Sequence, residues 1–189
     1  MCQLILTISS HKFVFALCGS TNIDRLASFY NATPGGRYFV CDRYQKEILD
    51  IVAKESLSCW YRFDKALVYG RNLGLEKMGF VMPVRANRRF KDIISQYPDA
   101  LLIYSMWEGY LDGRFPALSE FVNPFEQSGR IRHLHSSGHA SAVNTQMICN
   151  FVNPKIGIIP IHTENGKNFE KLKLKSPLLY LEDGEVFNF

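Results

Sequence analysis

Apolar residues fall in short unbroken runs separated by amphipathic stretches, and this alternation sets the predicted elements. Lys12 to Cys18 reads as a strand, and Gly19-Ser20-Thr21-Asn22 then supplies a turn and the N-cap of a helix through about Ala32. Pro34-Gly35-Gly36 turns the chain into a second strand, Arg37 to Cys41. Asp42 with Gln45 three residues on has the form of a capping box, opening a helix from Arg43 to about Lys54. Further strands are predicted near Lys65 to Tyr69, at Gly79 to Val84 and at Ala100 to Tyr104, with a helix over Asn87 to Gln96 and a helix and loop over Pro116 to Gly129. A β-α-β-α beginning with apolar strands points to an α/β fold built on a doubly wound, mostly parallel sheet.

The stretch from His133 to Glu164 repeats the pattern with chemistry added. Ile131 to His135 is a short strand, Gly138 permits a sharp turn, and Ala140 to Val152 places Val143, Met147, Ile148 and Phe151 close to helical period, with Pro154 ending the helix. Ile156 to Ile161 is then a nearly unbroken apolar run of the kind buried on both faces of a parallel sheet. His139 falls in the turn after one strand and His162 at the end of the next, so the two imidazoles are expected to converge at one sheet edge, where α/β proteins keep their chemistry. Asp183-Gly184 between two apolar segments signals a terminal hairpin.

With 189 residues, 47% of them apolar and 21% charged, the chain fits one packed domain or a domain with a smaller lobe. The N-terminal apolar stretch has no basic leader and is interrupted by polar residues, so neither a signal peptide nor a membrane span is expected, and the expected location is the cytoplasm. The five cysteines are scattered without a CxxC pair and read as buried, reduced thiols. A net charge of +4 is compatible with a polyanionic partner but does not require one; its one local concentration is Val84 to Lys91, either a solvated helix face or a phosphate-contacting patch.

Two turns that lead straight into helices, Gly19 to Asn22 and Ser136 to His139, offer free N–H groups and hydroxyls that suit a phosphate or simply cap a helix. His133 and His135, at i and i+2 on a strand, would share a face as zinc ligands do, but no Asp, Glu or Cys stands close by in sequence to finish a tetrahedral set. His162, with Glu164 nearby, is the better ligand candidate. Trp107 and Tyr110 either stack on a base or plug the end of the sheet.

Ser20-Thr21-Asn22-Ile23-Asp24-Arg25, Arg37 to Gln45, Tyr104 to Tyr110, Ser137-Gly138-His139-Ala140-Ser141 and Pro160-Ile161-His162-Thr163-Glu164 together resemble the β-CASP branch of the metallo-β-lactamase-fold nucleases. The last two stretches look like that family's motifs B and C. The resemblance implies a β-CASP-like α/β domain over residues 1–115 and the C-terminal part of a metallo-β-lactamase lobe over 116–189. It also implies that His139 meets the scissile phosphate, that Ser137, Gly138 and Ser141 bind a substrate phosphate, and that His162 ligates one of two zinc ions, which would supply a hydroxide for in-line attack. The substrate implied is RNA. The family's HxHxDH motif is absent from this sequence, so the resemblance implies a C-terminal portion, incomplete in zinc ligands, inactive alone, complemented by an N-terminal half and prone to self-association. A non-catalytic RNA- or nucleotide-binding module and a small-molecule hydrolase parent are the alternatives.

Overall fold

The computed structural model describes residues 2–70, 74–135, 140–161, 163 and 165–187. Contacts divide the chain into two compact units, Met1–Ser136 and Ser137–Phe189. The first is an α/β unit with elements in the order α1 (Cys2–Ser9), β1 (Phe13–Leu17), α2 (Ile23–Ala32), β2 (Tyr38–Cys41), α3 (Arg43–Glu55), β3 (Ala66–Val68), α4 (Leu75–Met78), β4 (Phe80–Val84), α5 (Arg88–Ile94), β5 (Leu101–Tyr104), α6 (Pro116–Gln127) and β6 (Ile131–His133). The second contains α7 (Ala142–Val152) and a short 3-10 helix at Gly166–Lys171.

All six strands are parallel, in the order β3-β2-β4-β1-β5-β6. Strand alternation sorts the core into two layers. Phe15, Leu17, Val40, Phe80, Met82, Leu102 and Tyr104 face one way and pack under α5 and α6. Val14, Ala16, Phe39, Cys41, Val81, Leu101 and Ile103 face the other way, under α1, α2 and α3. The sheet is therefore doubly wound, and strands covered on both faces read as continuous apolar runs because neither face meets water. Crossovers carry the chain outward from β1 over one face and back across the sheet from β4 over the other.

Local chemistry places the helix starts. Asn22, Asp42 and Asn87 each accept a hydrogen bond from the backbone N–H three residues on, at 3.2, 2.9 and 3.1 Å. The capping-box expectation holds by half: Asp42 caps α3, but the Gln45 side chain turns away and donates to the carbonyl of Ser20 at 3.0 Å. Helix α1, not predicted, buries Leu4 and Ile8 against the sheet. Its last carbonyls have no intrahelical partner. The Arg37 guanidinium supplies donors to the carbonyls of Ile8 (2.6 Å), Ser9 (3.0 Å) and His11.

Two residues fit β4 into the centre of the sheet. Gly79 has φ +77° and lies so close to β1 that a Cβ would stand 2.4 Å from the Lys12 carbonyl oxygen. Pro83 lacks the N–H a central strand needs; the β2–β4 ladder has already ended at Phe39–Val81, so no bond is lost on that side.

In the second unit two expectations fail. Ile156 to Ile161 is not a buried sheet strand: it makes one isolated bridge, Ile158 with Leu178, and both Ile156 and Ile161 are exposed. Its backbone pairs with the chain at Pro177 to Leu179, through the Ile158 N–H on the Pro177 carbonyl and the Leu179 N–H on the Ile158 carbonyl, and among the described residues no strand flanks it to cover its faces. The terminal hairpin is reduced to a turn, closed by the Glu185 N–H on the Glu182 carbonyl at 3.0 Å, without paired strands among the described residues.

Candidate functional site

The chain leaves β1 toward one side of the sheet and β4 toward the other, so the carboxyl ends of these neighbours form a topological switch point, the usual ligand position in open α/β sheets. There the loops after β1, β2 and β4 meet in a polar network. The Asp42 carboxylate, 2% exposed, accepts from the backbone of Gln45 and from Arg85 Nη2, while Arg89 Nη1 stands 3.7 Å from the same oxygen. Arg85 also donates to Ser20 Oγ at 3.2 Å and lies over the rings of Tyr44 and Phe90, at 5.0 and 4.9 Å.

This network is a brace rather than an empty anion site. Asp42 neutralises Arg85, and any anion entering would face the buried carboxylate. The Gly19 to Asn22 turn is likewise engaged: the Ser20 hydroxyl and carbonyl and the Asn22 side chain all have protein partners. What remains for a ligand lies just outside. Arg88 and Arg89 are exposed at the start of α5. After β5, Trp107, Tyr110 and Phe115 stack edge to face with centroids 5.4 and 5.6 Å apart, each still about half exposed. They pack on one another and also offer faces to a base.

A second polar centre closes the edge at the end of β6. A hollow of about 390 Å3 is bordered by Gln3, Arg25, Ser28, His133 and His135. Strand β6 stops at His133, so His133 and His135 do not form the same-face strand pair expected. His133 is instead held between two carboxylates, with Nε2 2.8 Å from Glu126 Oε1, seven residues before it, and Nδ1 3.4 Å from Glu108 Oε1, and its ring lies 5.3 Å from that of Tyr104. Tyr104 is buried and its phenol is pushed up to about 12, first by desolvation and then by Glu108.

Of the residues assigned a role from sequence, Ser137, Gly138, His139 and His162 lie outside the described residues, as does Glu164. Ser141 is the N-cap of α7, its Oγ accepting from the Asn144 N–H at 3.2 Å. Among the described residues no three His, Cys, Asp or Glu side chains come together to hold a metal, and the nitrogens of His133 face opposed carboxylates rather than a shared point. Cys18 and Cys41 are buried thiols as expected, whereas Cys59 is exposed and Cys149 half-buried. No helix among the described residues is long and apolar enough to cross a membrane.

The sequence matches no protein-family model, and no curated protein matches it.

Proposed function

We propose that this chain is the C-terminal portion of a zinc-dependent hydrolase of the metallo-β-lactamase fold, of the β-CASP branch and acting on RNA, in which residues 116–189 contribute part of a lobe completed by another polypeptide segment. The observation that carries the reading is the orientation of α7. Its half-buried side, Thr145, Gln146, Cys149 and Asn150, turns toward its own unit, where the Asn150 side chain donates to the Lys173 carbonyl and accepts from the Lys175 N–H, each at 2.8 Å. Its apolar side, Val143, Met147, Ile148 and Phe151, is left exposed within that unit, Phe151 at 92%. Among the described residues of this unit only Ser176 is buried. A unit whose described residues bury no apolar side chain has little core of its own, so the stripe on α7 and the run at Ile156 to Ile161 support a further layer over them.

Sequence supplies the rest of the support: the resemblance of Ser137-Gly138-His139 and His162 to phosphate-binding and zinc-ligating motifs. In the completed site zinc would activate water for phosphodiester hydrolysis. His162 would be this chain's ligand, while Ser137, Gly138 and Ser141 would hold the phosphate and His139 would face the leaving oxygen. The test is zinc content per chain by elemental analysis after purification without chelator, alone and after co-expression with an N-terminal metallo-β-lactamase half. Little zinc alone and about two ions in the assembly, reduced by His162→Ala, is the expected outcome. Two zinc ions on the isolated chain, or none in a well-formed assembly, would sink the reading.

The exposed Arg88 and Arg89 at the start of α5, and the half-exposed Trp107, Tyr110 and Phe115 cluster after β5, favour a second reading, a non-catalytic RNA- or nucleotide-binding α/β module. In that case binding persists in chelator and is indifferent to His162→Ala.

A further inference from the structure

A groove of about 490 Å3 runs between α5 and α6 on the face of the sheet opposite α1, α2 and α3, a volume within the usual small-molecule range of roughly 300–1,000 Å3. Its walls are apolar: Ile94, Pro98, Phe121, Pro124 and Phe125, with both phenylalanines rooted in the buried core. Pro124 sits inside α6 and has no N–H for the carbonyl four residues before it, that of Glu120, which also borders the groove.

The charges around the groove are unequally satisfied. Lys91 Nζ lies 3.4 Å from Glu120 Oε2, so these two neutralise each other. Arg130 is different. Its Nε donates to Ser128 Oγ at 3.0 Å, its Nη1 donates to the carbonyls of Pro98 and of Ala100 (3.2 Å), and its guanidinium lies 5.4 Å from the centre of the Phe125 ring. Among the described residues it meets no carboxylate, and the two N–H bonds of Nη2 have no acceptor. A guanidinium fixed in place, with its charge uncompensated beside an apolar wall, loses little freedom on meeting an anion.

We propose that this groove binds a small apolar carboxylic acid, one carboxylate on an aryl or medium-length alkyl body, with the acid group on Arg130 and the body over Phe121, Pro124 and Phe125. One anionic group matches one uncompensated cation, and an apolar body is required because the walls offer it few hydrogen bonds. The site lies wholly within the first unit and does not rest on the function proposed above.

The test uses the full chain, with 4-phenylbutyrate and octanoate as probes and 4-phenylbutanol and 1-octanol as their uncharged counterparts, followed by calorimetry and by amide chemical shifts. The expected result is saturable binding of the acids, with shifts centred on α5 and α6 and affinities at least about tenfold above those of the alcohols. Arg130→Gln should remove that preference. Because Arg130 also ties Pro98 and Ala100, Ser95→Trp is the second variant: it fills the groove from its rim, leaves Arg130 in place, and should abolish binding with the circular dichroism unchanged. Equal affinity for acids and alcohols, binding that survives Ser95→Trp, or no saturable shift up to millimolar probe would each overturn the proposal. Concentration-dependent shifts at the same residues without probe would assign the groove to a second copy of the chain and overturn it as well.

Discussion

Arg85 donates to the buried carboxylate of Asp42, 43 residues away in sequence, and so ties the loop after β4 to the start of α3 where β2 and β4 have ceased to pair. The same guanidinium reaches Ser20 after β1, so one side chain holds three strand ends. Asp42→Ala leaves Arg85 without its counter-charge, and Arg85→Ala leaves the buried carboxylate only the Arg89 guanidinium at 3.7 Å; the second change should cost up to about 3–5 kcal/mol and the first less, because the part-exposed Arg85 can hydrate. The double variant should cost clearly less than the sum of the singles, since neither charge is then stranded. Urea denaturation of the four proteins checks this, and simple additivity would show that the pair is not coupled.

Gly79→Ala should be among the most damaging single changes. The new methyl would meet the Lys12 carbonyl, which is backbone and already accepts from the Phe80 N–H at 3.0 Å, and the residue keeps φ +77°. Gly36→Ala shares the positive φ without any neighbour within 4 Å, so it isolates the conformational cost, roughly 1–2 kcal/mol. A thermal melt in which both variants shift alike would remove the close-approach argument.

The thiols should separate by burial. Cys18 and Cys41 are both pushed up to about 12, foremost by desolvation, while Cys59 is exposed. Peptide mapping after iodoacetamide at pH 8 should find Cys59 modified and Cys18 and Cys41 protected until denaturant is added. Because their folded values exceed the ordinary 9.0, the unfolded chain releases these protons first as pH rises. Their contribution is full below about pH 9 and is lost toward pH 12, at up to about 1.4 kcal/mol per pH unit for each thiol. Stability that holds level across that window would contradict the burial of both.

Replacing Met147 and Phe151 by serine should reduce self-association and dye binding by exposed apolar surface, while leaving the melt of the first unit in place. These side chains support nothing within their own unit, so their removal costs little there. Light scattering over a wide concentration range reads the first effect; loss of the fold would mean that α7 is already packed.

If RNA is held along α5, Arg88→Ala with Arg89→Ala should weaken binding of a single-stranded oligonucleotide and reduce the slope of log affinity against log salt by about 1.4, at ~0.7 for each phosphate no longer neutralised. An unchanged slope would return Arg88 and Arg89 to the role of a solvated helix face.

The order of strands and helices in the first unit could be read from the chain because it is written in local terms. Apolar runs such as Phe13–Leu17 and Phe80–Val84 are continuous since they are covered on both faces, and Asn22, Asp42 and Asn87 mark helix starts through bonds that span three residues. The same local reading could not distinguish the apolar run at Ile156 to Ile161 from a buried strand, because strand burial depends on neighbours that periodicity does not contain. It also missed α1, whose last carbonyls are satisfied by Arg37 from a later loop. The polar contacts of the carboxyl edge belong to tertiary structure in the same way. Gln45 reaches Ser20 instead of closing a capping box, and His133 finds Glu126 across the turn after α6 and Glu108 from before that helix. The sequence by itself thus determined the α/β class and the positions of its turns and caps, which are set by neighbouring residues. Only the folded chain decided which charges are spent in bracing loops and which remain open, because Coulomb and hydrogen-bond partners are chosen by distance in space.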